Sequence, residues 1–188
     1  MRFDGIMVRT MGRYFNPAQI SLAGSVFQRA ERLASEYFRL SPETIKAHRY
    51  DVKTLAFLEE HEVRKGAFAH LCKYHYHKEE GQDKEQERGF HFYRICLQDD
   101  RILDAVERAH SFIRLSPLML YIAAHELVHV IRFDNGETAF DLSVDEKRQE
   151  EEKVHSITRD MLQSSLNPDL KLVLDCFSGR YHIGEVFS

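Results

Sequence analysis

Cysteine is scarce in this chain of 188 residues: Cys72, Cys96 and Cys176 are unevenly spread and form no CxxC pair. That excludes a disulfide framework and a zinc ribbon, and a reducing compartment is the simplest home. A surplus of positive charge is also missing. The formal net charge is −4, which provides no electrostatic attraction for nucleic acid. No apolar run is long enough to span a bilayer: the longest, from Pro117 to Ile131, falls short of about 20 residues and carries two histidines and a glutamate. The first ten residues, MRFDGIMVRT, lack the apolar core of a secretory leader, so the expectation is a cytoplasmic protein whose mature chain starts at Met1. Internal repeats, low-complexity tracts and linkers are absent as well, and residues 1–188 are expected to form one domain with a sizeable core.

What is present is a succession of helical and strand patterns. After a short possible strand at Gly5 to Arg9, Pro17 opens a segment in which Ile20, Val26, Phe27, Ala30, Leu33, Ala34, Tyr37 and Phe38 recur at three- and four-residue spacings, predicting a helix over 17–39. Ser41-Pro42-Glu43 and Asp51 are start signals for one or two short helices ending near Glu62. From Gly66 the pattern alternates: AFAHLCKYHYH reads as a strand with Phe68, His70, Cys72, Tyr74 and Tyr76 on one face. FHFYRICL resumes a strand after the polar tract KEEGQDKEQERG, so the pair reads as an antiparallel hairpin with a long tip. A helix capped at Asp99 or Asp100 carries Ile102, Leu103, Val106, Ala109 and Ile113. Ser116-Pro117 starts the next, which stops at Asp134-Asn135-Gly136. A further helix of about twenty residues runs through the charged stretch Asp145 to Lys153 toward Asn167-Pro168, and the last twenty residues form a short helix and a tail.

The stretch AAHELVHVIRF, residues 123 to 133, carries the chemistry. A helix turns about 100° per residue, so His125 and His129 share one face with Cβ atoms roughly 5–6 Å apart, close enough for two imidazoles to bind one ion. Glu126 lies about 100° round, too far to join as a ligand but placed to reach a water held on the metal. The neighbours are apolar. A glutamate and two histidines buried among them would each cost about 1–3 kcal/mol unpaired, and a cation would satisfy them together.

A catalytic zinc has three protein ligands and one open position. The third must come from the following helix, where Glu150, Glu151, Glu152 and His155 are the candidates. With Val154 at zero, Ile157 and Met161 centre the apolar face. On that scale Glu150 lies at about −40°, Glu151 at about +60°, His155 at about +100° and Glu152 at about +160°. Glu152 points to solvent. Glu151 is preferred because His155 lies four residues on, where it can orient the ligand; Glu150 and His155 stay open as alternatives.

Ile122 to Ile131, with its HExxH core, resembles the active-site helix of the zincin metallopeptidases. The glycine-histidine continuation of the metzincins is absent. Glu151-Glu152-Lys153-Val154-His155 is similar instead to the ExxA(D/N) pattern of the gluzincin branch, with valine for alanine and histidine for the acid or amide. The resemblance implies an α+β, zincin-like fold: helices with a small antiparallel sheet or hairpin and the HExxH helix. It implies Zn²⁺ on His125, His129 and Glu151, Glu126 activating water, a peptide or protein substrate, and a strand above the cleft that can pair with an extended peptide. The competing expectation is a metal-binding regulatory or interaction protein without general proteolytic activity.

Other residues are weighed beside these. His70, Cys72, His75 and His77 suggest a second metal site, but on a strand the first two face away from the last two, so a structural or surface role is preferred. Tyr181 and His182 are candidates for stabilising an oxyanion. Arg132 reads equally as a salt-bridge, helix-end or substrate-contacting residue.

Overall fold

Asn16 caps the first helix through its side chain, with Gln19 returning the bond to the Asn16 N–H and Pro17 at the first helical position. In this computed structural model, which describes residues 13–76 and 90–178, helix α1 spans Pro17–Phe38 and ends on Arg39 in the left-handed conformation. Its buried stripe is Ala23, Val26, Phe27, Ala30, Leu33 and Ala34, the three- and four-residue rhythm read from the sequence. The elements that follow are α2 (Pro42–Ala47), β1 (Tyr50–Lys53), β2 (Ala69–Tyr76), β3 (Phe90–Leu97), α3 (Asp99–Arg108), α4 (Leu115–Asp134), α5 (Val144–Leu162) and α6 (Pro168–Cys176). The described residues thus form an α+β structure with six helices.

The sheet contains the expected antiparallel pair and departs from expectation in a third strand. β2 and β3 pair antiparallel, His70 opposite Cys96 and Cys72 opposite Arg94, but β1 joins the other side of β3 in parallel, making a mixed sheet in the order β1-β3-β2. Tyr50–Lys53 therefore belongs to the sheet, although its flanking signals assign it to a helix. The segment between β1 and β2 forms two single turns, Leu55–Phe57 and Glu60–Glu62. Buried polar side chains fix it. Gln98 donates to the Glu62 carbonyl and accepts from the Arg64 N–H, while Asp99 accepts from the N–H groups of Phe15 and Leu55. A second departure is the end of α3. His110 and Ser111 adopt φ of 46° and 75°, so the helix stops at Arg108 and Ile113 is buried beyond it.

Helix α4 is the centre of the molecule. It packs against α1, α5 and α6, with β2 and α3 also in contact, and only a helix apolar almost all round tolerates that. Leu118, Ala123, Ala124, Leu127, Val128 and Ile131 join the core cluster with Ile95 and Leu97 of β3 and Val154, Met161 and Leu162 of α5. Ser143 caps α5 reciprocally with Glu146, and Asn167 caps α6. Among the described residues no helix is long and apolar enough to cross a membrane. The expected strand at Gly5 to Arg9 and the polar tract of the hairpin tip lie outside the described residues.

Candidate metal centre

Because α4 is buried on all sides, its few polar side chains must find partners inside the protein, and α5 supplies them. His125 Nε2 lies 3.3 Å from Glu151 Oε2, and His129 Nε2 lies 3.2 Å from Glu151 Oε1. The three donor groups fall within 4.8 Å of one another. Two atoms held at zinc–nitrogen or zinc–oxygen distance on one tetrahedral ion would be about 3.3 Å apart, so the spacing suits this donor set. Two imidazoles and a carboxylate are a zinc-type combination. The side chain of Glu151 is 52% exposed whereas that of His129 is 9% exposed, which leaves one side of the group open to solvent.

The electrostatics fit a site that holds a cation. Burial works against the Glu151 carboxylate, but the two imidazoles outweigh it and hold the group far below the usual carboxylate range. Burial also lowers His125, opposed by Glu151. At His129 burial is outweighed by Glu151 and Glu126, and the group is raised. An ion taking His129 Nε2 would displace the proton that Glu151 otherwise favours there. The Nδ1 atoms of His125 and His129 are buried without a hydrogen-bond partner among the described residues. Glu126 is buried beside them. Loss of hydration pushes its carboxyl up to about 7, against the opposing influence of the His129 charge. A carboxyl with its pKa near neutrality is well matched to taking up and giving back a proton.

The other candidates are occupied elsewhere. Glu150, adjacent to Glu151, accepts two hydrogen bonds from the buried Arg132, Nε to Oε1 at 2.7 Å and Nη2 to Oε2 at 3.0 Å. Arg132 also pairs with Glu137, so it is a structural ion-pair residue bridging α4 to α5. His155 hydrogen-bonds to Tyr121 and packs its ring 4.5 Å from that of His125. Burial, helped by His125, lowers it to about 4, so it is neutral at physiological pH. Tyr121 and Phe177 complete this stack, their ring centroids 4.2 Å apart. His155 therefore supports the wall behind His125. Glu152 is exposed, as the helical wheel expects. Tyr181 and His182 lie outside the described residues.

Sequence reasoning missed one group. His70 and Cys72 on β2 are joined not by His75 but by Cys96 of β3, and their ligand atoms lie within 4.8 Å of one another; His77 lies outside the described residues. The signal was the strand pairing: Cys96 is opposite His70, a register that cannot be counted across a long hairpin tip.

The chain matches no protein-family model, no curated protein and no solved structure.

Proposed function

We propose that the protein is a zinc-dependent peptidase of the zincin type, gluzincin-like in its third ligand, in which His125, His129 and Glu151 hold Zn²⁺. The observation that carries this reading is the meeting of Glu151 from α5 with both histidines of α4, beside a buried Glu126 and with one side open. When bound, zinc supplies a Lewis acid that polarises the scissile carbonyl and acidifies water toward a pKa of about 7.

The chain's own residues do the rest. Glu126 takes the proton of the attacking water and returns it to the leaving amine, a role suited to a buried carboxyl on the turn of α4 that carries both histidines. Glu151, kept ionised, balances cationic charge between the imidazoles. His155, Tyr121 and Phe177 hold the ring of His125 in place by stacking. The apolar body of α4 excludes other polar groups that would compete for the water or the ion.

Glu126→Gln tests the assignment. The variant is expected to keep its metal, measured by elemental analysis of untagged protein, and to lose cleavage of a mixed peptide library. Cleavage retained by Glu126→Gln would exclude Glu126 as the base. A metal-loaded wild type that cleaves nothing in the library would leave the metal centre standing and favour the non-proteolytic alternative.

A further inference from the structure

We propose that His70, Cys72 and Cys96 form a second cation site, selective for a thiophilic ion such as Zn²⁺, that fastens strand β2 to β3. The pairing builds it. Side chains two apart on a strand share a face, and directly opposed residues share it across the ladder, so His70, Cys72 and Cys96 converge as a triangle. The sulfurs of Cys72 and Cys96 are 3.8 Å apart, and the Cys72 sulfur is 3.9 Å from His70 Nδ1. Two thiolates on one tetrahedral zinc at the usual bond length would also be about 3.8 Å apart, and a thiolate and an imidazole nitrogen about 3.6 Å.

The histidine carries the second, independent observation. Its Nε2 is 2.7 Å from the Glu62 carbonyl oxygen. A carbonyl only accepts, so the ring hydrogen sits on Nε2 and Nδ1 presents a bare lone pair toward the thiols. A backbone carbonyl fixing the far nitrogen is how metal-bound imidazoles are held in orientation. That carbonyl is itself fixed by a hydrogen bond of 3.1 Å from Gln98 Nε2. The tautomer needed for ligation is thus set before an ion arrives.

Cys96 is 0% exposed, whereas His70 and Cys72 are half-buried, so the approach is from their side. Sulfur donors favour zinc, cadmium or copper(I) over magnesium and calcium. Binding exchanges the two thiol protons for the ion. The site shares no residue with the His125 centre and stands without any enzymatic reading of that centre.

Cobalt(II) distinguishes the two. Thiolate ligation produces intense sulfur-to-cobalt charge-transfer absorption in the near ultraviolet; imidazole and carboxylate ligation does not. The full chain, untagged and reduced, is titrated with Co²⁺ beside Cys72→Ser, Cys96→Ser, His70→Ala and Glu151→Ala. The expected result is a charge-transfer band whose full amplitude corresponds to one Co²⁺ per chain, abolished in Cys72→Ser, unchanged in amplitude in Glu151→Ala, and requiring at least about tenfold more Co²⁺ in His70→Ala. Cys96→Ser should also abolish it. Because Cys96 is fully buried, the half-buried positions 70 and 72 decide the matter if that variant does not fold, as checked by circular dichroism. Absence of the band in reduced wild type, or its persistence in Cys72→Ser, would overturn the proposal. Recovery of a Cys72–Cys96 disulfide, two hydrogens lighter, from protein that binds no cobalt after reduction would overturn it in favour of a thiol pair.

Discussion

Glu150→Ala is expected to destabilise the protein by about 3 kcal/mol, although Glu150 is not a member of either metal group. Arg132 is 2% exposed and directs two of its donors at the Glu150 carboxylate. Removing one partner of a buried ion pair typically costs about 3–5 kcal/mol, because the other charge is left without solvent or counter-ion. Glu137 still engages Arg132 Nη1 in the variant, which places the expectation at the lower end. In a chain of this size each kcal/mol lowers Tm by about 2–4 °C, so a fall of about 6–12 °C should appear on heating. Urea denaturation followed by circular dichroism gives the free energy, with an unchanged m-value showing that only stability moved. The double replacement Arg132→Met with Glu150→Leu removes both charges and should return to within about 1 kcal/mol of wild type. A loss below about 1 kcal/mol in Glu150→Ala, or a double variant no better than the single, would refute the reasoning. Zinc affinity should fall in Glu150→Ala as well, by about tenfold or more, because α5 loses its tie to α4 one residue from Glu151.

Glu151→Ala should lose one bound ion by elemental analysis and keep its circular dichroism spectrum, since Glu151 is half exposed and contributes little to the core; an unchanged metal content would exclude it as a ligand. Leu127→Ala, at a position 1% exposed in α4, should cost about 2–5 kcal/mol in urea, and a loss under about 1 kcal/mol would contradict the central placement of that helix. Burial alone would raise Glu62, but bonds from Tyr74, the Glu59 N–H and Arg94 outweigh it and lower the carboxyl from 4.5 to about 2. A depressed carboxylate stabilises the fold above its unfolded value. That contribution is lost as pH falls from 4.5 through about 2. Glu62→Gln should therefore be less stable at pH 7 and lose less on acidification, and equal slopes in that window would count against the pairing.

The central helix was legible because its signals are local. Two histidines four apart, an apolar surround and a stop at Asp134-Asn135-Gly136 do not depend on distant partners. Glu151 was harder. The helical wheel turns both Glu150 and Glu151 inward, and what separates them is tertiary: Arg132, on another helix, claims the first. Tyr50–Lys53 was misread because four residues carry almost no periodicity and its strand conformation comes from parallel pairing with β3, some forty positions later. The end of α3 was overrun because Ile113 keeps the apolar rhythm after two left-handed residues have already turned the chain. Cys96 escaped notice for the same long-range reason as β1, since a neighbour across a ladder is visible only when the register is known.

The two adjacent glutamates of α5 divide labour, one anchoring the helix and the other facing the candidate metal group. Glu150 is bolted to the interior, so the helix backbone stays put, while Glu151 stands at the rim with its side chain 52% exposed. Rotation of the exposed Glu151 side chain, a nanosecond-scale motion, can therefore carry its carboxylate away from both imidazoles without parting α4 from α5. The carboxylate side of the group can thereby open while the helix pair that carries it stays packed.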